Sequence, residues 1–134
     1  MLDVEIEVFS TVATAIRAQF PSVFVSGEYV AAPSTFPAVT IVEDDNSTYQ
    51  RTLDTGGEKH SSIMYTVNIY SNKTVGRKSE ARSIMALADT KMQELGFIRV
   101  GAGPMEMPNA STSIYRMVSR YKAVISKEKV IYRR

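Results

Sequence analysis

The sequence predicts an α+β domain: a mainly antiparallel sheet with two helices packed on one face and a long mobile loop between strands. Three observations predict it. Apolar and polar residues alternate through 63–70 and 112–125, the period of half-buried strands. Two stretches, 4–20 and 76–95, instead carry apolar residues at helical spacing. Finally, the strand residues sort into one apolar set and one mixed set, as in a sheet with a single covered face.

The chain has 134 residues, 44% hydrophobic and 22% charged, which predicts a single domain over 1–134. A domain of that size buries roughly two-thirds of its unfolded surface and needs no covalent staples. It contains no cysteine, so disulfides, thiolate catalysis and Cys-ligated zinc are excluded. Asp3, Glu5 and Glu7 interrupt the first apolar residues, and no apolar run approaches the ~20 residues of a membrane span. A chain made and used in soluble form is expected, with no membrane partner. A net charge of +2 is too small to indicate a nucleic-acid binder. The charge is nevertheless polarised: acids crowd residues 1–60, while Arg116, Arg120, Lys122, Lys127, Lys129, Arg133 and Arg134 crowd the tail. Such polarity suits association of identical copies as well as it suits an anionic ligand.

The first helix presents Phe9, Val12, Ala13, Ile16 and Phe20 on one face, with acids at the end where they meet the positive pole of the helix dipole. Pro21 closes it. Val23–Val25 with Tyr29-Val30 reads as a short strand, Pro33 and Pro37 bound a loop, and 38–42 is rich in β-branched residues. Residues 43–62 are polar, contain Gly56-Gly57 and follow neither period, so they predict the mobile loop or a loose hairpin. After strand 63–70 comes the second helix, with a stripe of Ala81, Ile84, Met85, Ala88, Met92 and Leu95. Gly96 is its expected terminator. A strand starts at 97–100, and Gly101-Ala102-Gly103-Pro104 reads as an irregular turn. The strand at 112–125 is the longest, and 130–132 reads as a short last one.

Alternation assigns Val39, Ile41, Ile63, Tyr65, Val67, Ile69, Tyr115, Met117, Tyr121, Ala123 and Ile125 to the covered face. Thr40, Thr66, Asn68, Tyr70, Arg116, Val118, Arg120 and Lys122 fall on the other, expected to be wet or shared with a partner. At ~3.3 Å per residue the last long strand spans roughly 40 Å, more than the roughly 36 Å breadth implied by a ~14 Å radius of gyration. It must therefore bend or overhang, which predicts a subunit of an assembly.

Chemistry-bearing residues are sparse. His60, the only histidine, lies in the polar segment without oriented partners and reads as a surface residue. Glu43-Asp44-Asp45 lacks the spacing and turn glycine of a cation loop and reads as a solvated strand end. The Gly101–Pro104 run has no following Lys-Ser/Thr and is no phosphate cradle. Tyr115, Arg116, Arg120, Tyr121 and Lys122 interleave aromatic and basic residues as nucleic-acid-binding sheets do, but alternation puts tyrosines and cations on opposite faces. No cofactor, metal or catalytic residue is assigned, and an enzyme is the least expected class.

Asn68-Ile69-Tyr70-Ser71-Asn72-Lys73, the helix segment from Lys78 through Asp89, Leu95-Gly96-Phe97-Ile98-Arg99, Ile114 through Tyr121, and Ile131-Tyr132-Arg133-Arg134 together resemble the tail terminator, or tail completion, proteins of long-tailed bacteriophages of Gram-positive hosts. The resemblance covers roughly 68–134. It implies a virion structural protein that forms a hexameric ring on the tail tube, ends tube polymerisation and makes the tail side of the head–tail junction. It also implies a tail-tube protein and a head-completion or connector protein as partners, DNA passing through the lumen, assembly in the host cytoplasm and a final place at the head-proximal end of the tail. Arg116, Arg120 and Lys122 are the expected cationic side of the contact between copies, with Glu43, Asp44 and Asp45 as acidic counterparts. A different virion connector, such as a head-completion adaptor or tube protein, and a small nucleic-acid-binding module are the alternatives.

Overall fold

A computed structural model describes residues 3–30, 33, 35–48, 60–107, 113–126 and 131–132. The first amphipathic stretch forms α1 (Glu5–Gln19), whose buried stripe is Val8, Val12, Ala13 and Ile16. Phe9 and Phe20, expected within that stripe, flank it half-buried. Asp3 accepts the backbone N–H of Glu5 at 2.9 Å, satisfying one of the free donors at the helix start.

Three strands follow in chain order: the short β1 (Phe24–Ser26) and the long β2 (Ala38–Thr48) and β3 (His60–Ser71). Next comes α2 (Arg77–Glu94), which buries Ala81, Ile84, Met85, Ala88 and Met92. Its end is set by two backbone bonds. Gly96 N–H donates to Gln93 O and Phe97 N–H to Met92 O, each at 3.0 Å, while Gly96 takes φ 105°. That is a Schellman closure, and the apolar contact that goes with it is made by buried Met92 and Phe97. Phe97 then meets the Tyr65 ring edge-on, with centroids 5.5 Å apart.

The chain finishes with β4 (Ile98–Met107), β5 (Tyr115–Ser126) and β6 (Ile131–Tyr132). The sheet order is β1-β2-β3-β5-β4, with β6 also paired to β5. Among the described residues only β1 and β2 run parallel, and the other pairings are antiparallel. The α+β class and the predominantly antiparallel sheet therefore hold. Helix α2 packs on β3, β4 and β5, and α1 packs on α2. One core cluster unites the buried stripes of both helices with Val39, Ile41, Ile63, Tyr65, Val67, Ile69, Met117, Tyr121, Ala123 and Ile125. These are the residues that alternation assigned to the covered face, and Tyr115 packs against them partly buried.

Three expectations change. Residues 43–48 and 60–62 are strands paired antiparallel, the hairpin alternative and not the mobile loop: β2 continues through a register shift between Glu43 and Asp45, and β3 begins at His60. Their polarity misled because ladder hydrogen bonds need only backbone groups, whereas periodicity reports side-chain burial. The remainder of the expected loop, 49–59, lies outside the described residues. Second, β5 does not overhang, because the lengthened β3 pairs with it from His60↔Ser126 to Ser71↔Tyr115. Third, the Gly101–Pro104 run is no turn; it lies within β4, whose register against β5 shifts between Val100 and Met105. Glycine and proline there mark an irregularity inside a strand.

Replacing Gly96 with alanine puts a Cβ on a backbone held at positive φ. The expected loss of stability is about 1 kcal/mol or more, read as a lower urea midpoint with an unchanged slope.

Candidate functional site

The second sheet face is where the sequence placed its interface candidates, and register assembles them. Pairing sets Arg116 opposite Tyr70, Val118 opposite Asn68 and Arg120 opposite Thr66, with Asn68 opposite Thr40 on the next strand. Asn68 Nδ2 donates to Thr40 Oγ1 at 3.1 Å, and Arg116 Nη2 donates to Asn68 Oδ1 at 2.9 Å. The Arg116 guanidinium also lies 5.7 Å from the Tyr70 ring centroid. Thr40, Asn68, Tyr70 and Val118 are buried, so this end of the face is not wet as expected. Arg116 is thus a cation held in one orientation, while Arg120, beyond Val118 on the same face of the strand, is exposed.

Asp44 joins them because the register shift in β2 inserts an extra residue there. Its carboxylate accepts from the Thr66 hydroxyl. Burial raises the Asp44 carboxyl above the ordinary range, and the Arg120 charge partly offsets this. Asp44, Thr66, Arg116 and Arg120, with Tyr29 and Val118, line a cavity of about 330 Å³. Two guanidiniums against one carboxylate leave a positive excess, suited to holding a carboxylate or similar anion. Of the proposed pairs between copies, Arg120 and Asp44 already face one another within a single chain.

The other candidates disperse. Lys122 stands opposite Met64 on the same face, half-buried and outside the lining of that cavity. Asp45 is exposed and accepts the Ser47 hydroxyl at 3.0 and 3.1 Å to its two oxygens. Glu43 lies opposite core-facing Tyr65 and so on the reverse side of the sheet from Asp44. Burial raises its carboxyl above the usual range, and the charges of Asp3 and Glu5 raise it further. His60 opens β3 opposite Ser126, half-buried, and is not a loop residue.

Sequence reasoning missed a second polar centre. Asp89, at the border of the α2 stripe, accepts from Tyr121 Oη at 2.8 Å, Arg99 Nη1 at 2.9 Å and Gln93 Nε2 at 2.7 Å. Tyr121 is fully buried, and burial together with the neighbouring carboxylate raises its phenol well above the usual range. The available signal was the tyrosine itself: on an apolar face its hydroxyl requires a partner. A cavity of about 300 Å³ opens beside this centre, lined by Arg82, Met85, Asp89, Arg99 and Met117.

These two placements yield two expected outcomes. Asp89→Ala lowers stability by about 1–3 kcal/mol because it strands the Tyr121 hydroxyl; adding Tyr121→Phe recovers part of the loss, measurable as coupling in a double-mutant cycle. Glu43 has a raised folded pKa, so its ionisation penalty is absent below the ordinary glutamate range and grows as pH rises through the folded value. In buffer free of divalent cations, Glu43→Gln therefore raises the melting temperature at pH 7, and the gain vanishes in acid.

No family model matches the chain, and a search of curated proteins finds no match either.

Proposed function

We propose that the protein is a virion structural subunit of the tail-terminator kind, which closes a ring on the end of the tail tube, stops tube growth and forms the tail side of the head–tail junction. One observation carries this reading. The residues that resemble tail terminators fall on a contiguous unit: the end of β3, α2 with its Gly96 closure, the start of β4, the first part of β5, and β6. A resemblance scattered over unrelated elements would have little weight; here it follows one packed half of the fold.

The second-face cavity gives the reading a contact chemistry. A ring of identical copies uses one heterologous surface pair repeated to closure, so a positive patch on one side needs an acidic patch on the other. Arg116, oriented by Asn68, fixes where an acidic group from a neighbour would sit, and exposed Arg120 steers the approach. Apolar burial at such an interface supplies most of the affinity. Ile6 and Val75, 79% and 86% exposed, are apolar residues open to such burial.

The decisive experiment is electron microscopy of phage particles made without this gene. A terminator predicts overlong tubes detached from filled heads. Normal particles overturn the reading, and normal-length tubes with failed joining point to a connector instead. In the purified protein, Arg120→Glu lowers ring formation on sizing columns several-fold more than Lys122→Glu. Equal effects remove the cavity from the contact.

A further inference from the structure

Three carboxylates from two distant parts of the chain converge where the start of α1 meets β2. Each of Asp3, Glu5 and Glu43 offers an oxygen, and these oxygens all lie within 4.8 Å of one another. The ligand shell of calcium is ~4.6–5.2 Å across, from oxygen distances of 2.3–2.6 Å. We propose that Asp3, Glu5 and Glu43 bind a hard divalent cation, with calcium the best match.

The ordinary account of acids at a helix start is compensation of the macrodipole. It covers Asp3, which accepts the Glu5 N–H through one oxygen, and Glu5 itself. Glu43 falls outside that account. It comes from β2, is half-buried, and is turned to the helix side of the sheet. There burial and the like charges of Asp3, Glu5 and, least, Asp45 oppose its ionisation more than a hydrogen bond with Asn46 favours it. None of the ion pairs among the described residues involves any of the three.

A second observation points into the same place. Tyr65, paired directly opposite Glu43, is fully buried, yet its hydroxyl has no hydrogen-bond partner. That pairing sets Tyr65 beside Glu43 on one face of the sheet, and burial, with the charges of Glu43, Glu5 and Asp3, raises its phenol well above the usual range. A buried phenol left unpaired is costly. Hard cations complete their shells with water, and water on a cation held by the three carboxylates would offer that hydroxyl a partner. The site thus gives a use to both the repelling acids and the orphaned hydroxyl.

The site also differs from the one the local sequence suggests. Glu43, Asp44 and Asp45 are adjacent in the chain but separate onto two faces, while Glu43 joins acids some forty positions away.

Terbium luminescence and thermal melting of the metal-stripped full chain test this. The protein has no tryptophan, so emission excited through the protein reports a nearby tyrosine. Wild type is expected to show sensitised terbium emission displaced by calcium, and a calcium-dependent rise in melting temperature. Glu43→Gln weakens both by roughly tenfold or more in cation concentration. Tyr65→Phe loses most of the emission but keeps the calcium-dependent melting shift. Asp45→Asn, which alters an acid outside the cluster, matches wild type. No shift and no emission at millimolar cation overturn the proposal, as does a Glu43→Gln variant that responds like wild type or an Asp45→Asn variant that loses the response equally.

Discussion

The pairing of β3 with β5 is the constraint on which the rest of the molecule depends. Each strand is 12 residues long, and they match from end to end without a shift. Because side chains alternate with a period of two, a slip of one residue would exchange the two faces of a strand. In β3, Tyr65, Val67 and Ile69 would then leave the apolar core shared with the helices, and Thr66 and Asn68 would enter it. The flanking strands tolerate irregularity, and both β2 and β4 carry register shifts. The central pair does not, and its regularity is what lets the edges deviate locally without loss of the core.

Polar contacts reinforce that register on both sides of the sheet. On the covered face, Tyr121 reaches across to Asp89 on α2, which ties the height of the helix to one position on β5. On the other, the run from Thr40 through Asn68 to Arg116 links β2, β3 and β5, straight across to Asn68 and then diagonally to Arg116. Two of these bonds involve an ionised partner, Asp89 or Arg116, and are stronger than the neutral Asn68–Thr40 bond; a misregistered strand would leave their buried donors and acceptors unpaired. Their contribution lies in penalising alternatives, whereas apolar burial between the helices and the sheet supplies the bulk of the favourable energy.

Charge follows from the same geometry. The register shift at Asp44 divides three consecutive acids between two surfaces. Asp44 goes to the arginine-lined cavity, Asp45 to solvent, and Glu43 to the acidic cluster at the start of α1. The molecule therefore presents a positive cavity on one side of the sheet and concentrated negative charge on the other. Opposite signs on opposite surfaces allow identical copies to associate through unlike patches, as a closed ring requires, and a cation at the acidic cluster would adjust that balance.

Much of the architecture was legible along the chain because burial imposes a period. Both helix stripes, the membership of each sheet face and the Gly96 terminator could be read from apolar spacing and one special residue. Strand continuity through 43–48 and 60–62 could not, since polar residues pair through their backbones as well as apolar ones do. The six interface candidates were partly legible: alternation placed Arg116, Arg120 and Lys122 on one face, but it could not show that Arg116 is fixed by Asn68 and Tyr70 or that Asp44 meets Arg120 within one chain. The convergence of Asp3 and Glu5 with Glu43, and of Asp89 with Tyr121, was invisible for the same reason. Local periodicity specifies which side of an element faces inward, whereas contacts between residues distant in sequence arise only when packed elements meet at a particular register and height.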